Sequence, residues 1–172
     1  SRITQEGLSD KIVLNSGNSR DIIQFDSNKF DKIIALDCAY HFDTRLKFIR
    51  DSIDLLSEGG AVGMIDIFPT EKILKWPQKI IKSMIGKFFH INKKNLMSIR
   101  EFEKEVEKIE IFKPEITNIS DNVFPGFCNY FNRKIIKDKS GLKKMKITSM
   151  VLRYLHNRDY IRAFKIILKK RI

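Results

Sequence analysis

The sequence predicts an α/β domain built on a parallel sheet with helical crossovers. Two observations carry this. Residues 30–37 and 61–68 are short runs whose centres are continuously apolar, as strands buried on both faces require. Between them lies a segment with helical rather than strand periodicity, which makes a right-handed strand–helix–strand crossover. The length, 172 residues with 42% hydrophobic content, suits one domain around a single core.

The elements follow in order. Residues 1–10 read as the end of a helix closed by Gly7. Residues 11–16, with Ile12, Val13 and Leu14 between polar flanks, predict a strand that ends in the turn chemistry of Gly17-Asn18. Phe30-Asp31-Lys32-Ile33-Ile34-Ala35-Leu36-Asp37 is the clearer strand. Residues 44–57 place Leu46, Ile49, Ile53 and Leu56 on one helical face, and Gly59-Gly60 is expected to stop that helix. Residues 61–68 form the next strand.

The second half reads as mainly helical. Over residues 77–91, Ile80, Ile81, Met84, Ile85, Phe88 and Phe89 recur every three or four residues, with Pro77 suited to the first turn. Ser98 and Glu101 form a capping box that opens a helix reaching about Ile109, with Phe102, Val106 and Ile109 as its apolar stripe. A strand is expected over residues 114–120 and a helix after Gly126, because Pro125-Gly126 punctuates the aromatic run 123–131. Residues 137–141 are a polar break. Residues 142–156 predict a helix and 160–168 a final strand, with helix as the alternative there.

Charge is unevenly placed. The net charge is +12, yet residues 1–131 hold 19 basic and 19 acidic side chains. The excess lies in residues 132–172, where only Asp138 and Asp159 oppose 14 Lys and Arg. A second basic block runs from Lys72 to Lys94, with seven lysines and no acid. Such segregation creates a local field for phosphates or anionic lipid. The tail charges alternate with Ile, Leu, Phe and Tyr at structural spacing and show no recognition or stacking motif, so a solvated face is expected there and nucleic acid is disfavoured.

Cys38 and Cys128 make no disulfide framework, and His41, His90 and His156 are too dispersed for a metal motif. No apolar run is long enough to span a bilayer, and the first residues show no signal-peptide pattern. A cytoplasmic location is expected, with peripheral membrane contact through Lys72 to Lys94 as an option.

Four motifs, in sequence, carry a family resemblance. They are Gly7-Leu8-Ser9-Asp10-Lys11-Ile12; Gly17-Asn18-Ser19; the run from Phe30 through Asp37-Cys38-Ala39-Tyr40-His41-Phe42; and Leu55-Leu56-Ser57-Glu58-Gly59-Gly60. In this order they resemble the class I S-adenosylmethionine-dependent methyltransferases, read from the middle of the domain onward. The resemblance covers roughly residues 1–68. It implies a Rossmann-like methyltransferase sheet with strand order three-two-one-four-five-seven-six and an antiparallel seventh strand. The family's glycine-rich cofactor loop, and the acid that holds the ribose hydroxyls, precede these motifs and do not occur in this chain. The expectation is therefore a sheet truncated at its N-terminus, with a helical lid insertion after the fifth strand. Residues 1–172 would form a single partial domain, with 70–112 as the lid-like segment.

The resemblance implies S-adenosylmethionine as cofactor. Gly17, Asn18 and Ser19 would face its adenine, with Asn18 standing where the family usually has an acid. Asp37, Cys38 and Tyr40 would line its methionine half. Asp37 contacts the amine or merely ends its strand; Tyr40 faces the sulfonium or packs under the lid. His41 is the candidate proton acceptor, and its alternative role is to shape the pocket. Asp66 faces ligand, caps a helix or is solvated. Trp76, Ile80, Met84 and Phe88 would roof the substrate, with an interfacial lipid-binding helix or plain core packing as alternatives. The expected activity is methyl transfer to a small, lipophilic acceptor in the full-length protein, with this chain alone inactive. The rival is a non-catalytic basic module binding anionic membrane or RNA.

Overall fold

The computed structural model describes residues 2–27, 30–74, 79–133 and 141–171. Four strands form one mixed sheet: β1 (Phe30–Leu36), β2 (Leu56–Pro69), β3 (Phe112–Asn118) and β4 (Ile161–Lys170), in the order β1-β2-β4-β3. β1 runs parallel to β2, whereas β4 is antiparallel to both β2 and β3. This is the order expected for the family's fourth, fifth, seventh and sixth strands. The helices are α1 (Arg2–Gln5), α2 (Arg45–Ser52), α3 (Glu71–Leu74), α4 (Lys79–Phe88), α5 (Ile99–Glu107), α6 (Ser120–Arg133) and α7 (Gly141–Asn157).

Strand alternation divides the core between the two sheet faces. Val62, Met64 and Phe68 of β2 and Phe164, Ile166 and Leu168 of β4 pack with Ile49 of α2 and Phe102 and Val106 of α5. Ile67 of β2 and Ile161 and Ala163 of β4 face the other way, onto Ile85 of α4, Phe124 of α6 and Leu152 and Leu155 of α7. Helices therefore cover both faces of β2 and β4. The expectation that residues 30–37 are buried on both faces is corrected, because β1 takes the sheet edge and leaves Ile34 and Leu36 65% and 61% exposed. Thr44 accepts a hydrogen bond from the Lys47 backbone N–H to open α2, and Ser98 with Glu101 forms the expected capping box of α5.

Three local expectations are corrected. Residues 11–16 form no strand; Val13 and Leu14 are exposed, because β1 takes an edge of the sheet and no ladder partner adjoins that segment. Gly59 and Gly60 do not stop α2, which ends at Ser52; they lie inside β2. Gly59 adopts φ +70°, and a side chain on Gly60 would meet the Ser57 carbonyl at 2.9 Å. Both accommodate the bulge where pairing jumps from Phe30–Leu56 to Lys32–Ala61. Finally, α6 starts at Ser120, ahead of Pro125. The Asn118 side chain accepts from the Ser120 N–H, so the helix is already capped when the proline removes one donor near its start. The final segment is the strand β4.

Two of the tail's basic side chains are spent on structure. Lys170 donates to the carbonyls of Ile53 and Leu56 at 3.0 and 2.8 Å, and Lys169 pairs with Glu115 at 2.8 Å. The polar break at 137–141 falls mostly outside the described residues.

Candidate active site

The C-terminal end of β1 turns into a short 3-10 segment, Ala39–His41, that gathers the sequence-predicted residues Asp37, Cys38, Tyr40 and His41. Asp37 is left-handed, with φ +51°, a conformation that Asp tolerates better than most residues and that redirects the chain off the strand end. Its backbone N–H donates to the Ile65 carbonyl at 2.8 Å, which ties the turn to β2. Burial pushes the Asp37 carboxyl above its ordinary range; the Tyr40 hydroxyl bond and nearby His41 pull it back. Burial also raises the Tyr40 phenol and the Cys38 thiol, and negative charge at Asp37 and Asp66 adds to both. Tyr40 and Cys38 are thus held in their protonated forms.

A buried polar network fixes this turn from below. Arg45, first residue of α2, is 1% exposed and pairs through Nε with Asp66 of β2. Its other nitrogens donate to the Asn95 carbonyl at 2.6 Å and the Ile67 carbonyl at 2.9 Å, and its guanidinium lies 4.2 Å from the Phe68 ring centre. Asn95 in turn accepts from the Arg45 N–H at 2.9 Å and donates to the carbonyls of Tyr40 and Phe42 at 3.1 and 2.9 Å. Asp66 therefore neither caps a helix nor meets solvent. Arg45 and Asn95 carry no motif visible in one sequence; an Arg directly after a helix N-cap, four residues beyond His41, was the only available cue.

The chain after α4 completes the wall. His41 Nδ1 lies 3.2 Å from the His90 carbonyl, which can only accept, so Nδ1 is the donor in that contact. The His41 ring stands 4.2 Å from that of Tyr40. His90 is also left-handed, and Asn92 N–H donates to the Tyr40 carbonyl at 3.3 Å. Segment 90–95 thus grips the Tyr40–His41 turn at several points.

The Gly17-Asn18-Ser19 turn sits beside residues 42–44, with Arg20 3.8 Å from Asp43. The Asn18 oxygen accepts from the Ser19 hydroxyl at 3.3 Å and the Arg20 N–H at 3.2 Å, so it is engaged within its own turn.

Three neighbouring spaces lie beyond the β1 turn. A cavity of about 140 Å³ lies between Asp37, Ile65, Phe124 and Phe127. A narrow gap lined by Tyr40, Ile67, Ile85 and Phe89 lies beside it, with Ile67 and Leu152 common to both. Ile85 and Phe89 also border an open apolar cleft of about 700 Å³ between α4 and α7, edged by Met84, Phe88, Val151 and Tyr154. Of the predicted lid residues, Met84 and Phe88 border this cleft, whereas Ile80 points to solvent on the same helical stripe. Trp76 lies outside the described residues. Among the described residues no group of three or more His, Cys, Asp or Glu side chains comes together as a metal site.

No known family profile matches the chain. A curated relative, erythromycin 3''-O-methyltransferase of Saccharopolyspora erythraea, is 24% identical over 148 residues, covering 84% of this chain and 48% of that protein. Among solved structures, a Galdieria sulphuraria protein provisionally assigned as a sarcosine dimethylglycine methyltransferase superposes with a TM-score of 0.77 at 14% identity, covering 99% of this chain and 63% of its own. The chain has the fold of a class I S-adenosylmethionine-dependent methyltransferase. A second structure with this methyltransferase fold is geranyl diphosphate C-methyltransferase of Streptomyces coelicolor A3(2), solved with Mg²⁺, geranyl diphosphate and S-adenosyl-L-homocysteine; its TM-score is 0.71 at 14% identity, over 99% of this chain and 58% of that one. The chain spans about half the length of the curated methyltransferase relative it matches.

Proposed function

We propose that the protein transfers a methyl group from S-adenosylmethionine to a small, lipophilic acceptor. The observation that carries this reading is the run of spaces from the Asp37–Tyr40 turn to the apolar cleft between α4 and α7, each sharing lining residues with the next: Ile67 and Leu152, then Ile85 and Phe89. A ligand with one polar end and an apolar body fits that path, since lining of this kind rewards burial of hydrocarbon.

The cofactor, when bound, supplies an electrophilic methyl group. The β1 turn fits its methionine half: Asp37 offers an exposed carboxylate for an ammonium, and Tyr40 presents a neutral ring for a neighbouring cation. Cys38 contributes a neutral, partly buried thiol to the same wall. Gly17, Asn18 and Ser19 are assigned the adenine side, where Asn18 would exchange an internal acceptance for the ligand's amino group. His41 Nε2 is assigned the acceptor's proton, because Nδ1 is committed to the His90 carbonyl. Met84 and Phe88 form the apolar wall of the acceptor cleft, and of the segment 70–112 it is α4 that acts as its lid. The remaining contribution is proximity, which holds acceptor and methyl group in line while the lid excludes water.

Support also comes from the names of the relatives, which are methyltransferases acting on small molecules. A non-catalytic basic module is the weaker reading, because Lys169 and Lys170 are engaged within the fold. The test is calorimetric titration of S-adenosylmethionine into the full-length gene product, followed by methyl transfer to a homologous series of straight-chain alcohols and amines. Saturable cofactor binding, with acceptor affinity improving about four-fold per added methylene, is expected. Absence of cofactor binding, or indifference to acceptor chain length, overturns the reading.

A further inference from the structure

We propose that the α4–α7 face is a docking surface for an anionic lipid bilayer. The inference extends the reading above by giving a lipophilic acceptor its route of entry.

Two apolar stripes point outward on this face. On α4, Ile80, Met84 and Phe88 recur at every fourth residue and are 67%, 64% and 52% exposed. On α7, Ile147, Met150 and Tyr154 recur at three- and four-residue intervals and are each at least half exposed. The two stripes belong to one surface, because Met84 and Phe88 share the rim of the apolar cleft with Tyr154. The inward stripe of α4, Ile81, Ile85 and Phe89, already packs in the second core, so the outward one is surplus to folding. Scattered single apolar side chains need no explanation, but a contiguous patch around an open cleft marks an interaction surface.

The charge around the patch selects the partner. Neither α4 nor α7 contains an Asp or Glu, and no acid occurs from Lys72 to Arg100. Lys87 stands on the cleft rim, Lys82 flanks the α4 stripe, and Lys143, Lys144, Lys146 and Arg153 flank that of α7. The two helices of this apolar face carry cations and no acid, and the neighbouring described acids are Asp121 beside His156 and Asp159 beside Tyr160. The long basic stems can lie along hydrocarbon while their heads reach phosphate, as at the boundary of an anionic membrane. A complementary protein would have to match the apolar cleft as well as a ring of positive charge. A bilayer offers both. No helix among the described residues is long and apolar enough to cross the membrane, so contact would be peripheral.

The test is cosedimentation of the full-length gene product with vesicles of phosphatidylcholine alone, or of phosphatidylcholine mixed with phosphatidylglycerol, without cofactor or acceptor. Its outcome is therefore independent of methyl transfer. Binding to the mixed vesicles is expected, falling steeply as salt shortens the screening length. Lys82→Gln with Lys87→Gln should weaken it about 25-fold, taking about five-fold per basic residue at the surface. Met84→Ser with Met150→Ser, both at exposed positions, should lose binding while the circular dichroism spectrum and melting temperature stay unchanged. Protein that remains in the supernatant, binds both vesicle types equally, or binds undiminished after either pair of substitutions overturns the proposal. Self-association that the serine variants abolish, without any vesicle binding, assigns the face to a second copy instead and also overturns it.

Discussion

Arg45 and Asp66 form an ion pair that is buried on both sides, with the Arg45 guanidinium spanning from the carboxylate to the carbonyls of Asn95 and Ile67. It links the N-terminus of α2 to the end of β2 directly beneath the Tyr40–His41 turn. Burial raises the Asp66 carboxyl and lowers Arg45, each opposed by the partner's charge. Breaking such a pair leaves an uncompensated charge in the core. Arg45→Met is therefore expected to destabilise the fold by about 3–5 kcal/mol, read by denaturant unfolding. The double variant with Asp66→Leu should lose less than Arg45→Met alone, because no orphan charge remains.

Asn95 acts through hydrogen bonds rather than charge. Asn95→Ala strips partners from the Arg45 N–H and from the carbonyls of Tyr40 and Phe42. A cost of about 2–3 kcal/mol is expected, as unsatisfied buried groups usually cost. Hydrogen exchange should accelerate most across residues 39–42; uniform acceleration over the whole chain would show that the turn is held by something else.

Asp37 sets a pH dependence. Its folded carboxyl lies above the ordinary 3.8, so the folded state holds the proton more tightly than the unfolded chain. Its contribution is most favourable below about pH 3.8 and is lost as pH rises through the folded value. Asp37→Asn keeps the shape, the left-handed backbone and an acceptor for Tyr40, while removing that loss. The variant should be more stable than the parent at neutral pH, with the difference vanishing in acid, and should bind S-adenosylmethionine more weakly. Equal stability profiles from pH 3 to 8 (roughly the range over which an Asp carboxyl titrates) would contradict this.

Val151 lines the apolar cleft and is only partly buried. Val151→Phe should fill part of the cleft and weaken acceptor binding by ten-fold or more, about 1.4 kcal/mol. Cofactor titration should be unaffected, since none of Asp37, Cys38 and Tyr40 lines the cleft that Val151 borders. Loss of both together would place acceptor and cofactor in one undivided space.

Ser98→Ala removes one half of the capping box that starts α5. The expected cost is about 1 kcal/mol, measured as a drop in melting temperature. Because α5 presents Phe102 and Val106 to the core but borders no part of the cleft, acceptor affinity should persist in the folded fraction.

The sequence by itself determined the crossover of residues 30–68, the capping box at Ser98 and the inward face of α5, because each is encoded by local periodicity or capping chemistry. It also placed Asp37, Cys38, Tyr40 and His41 on one turn, since they are neighbours in the chain. It failed where the outcome depends on a partner distant in sequence. Residues 11–16 have strand-like composition, but a strand exists only where a second backbone completes its hydrogen bonds. Gly59-Gly60 read as a helix stop, yet the parallel pairing with β1 drew them into β2 as a bulge. The buried Arg45–Asp66–Asn95 network joins residues 21 to 50 positions apart, and nothing local announces that an arginine will be desolvated. Tertiary structure alone decided which stripe of α4 is buried. Both stripes are apolar, and only the arrival of β4 and α7 against Ile81, Ile85 and Phe89 leaves Ile80, Met84 and Phe88 to the outside.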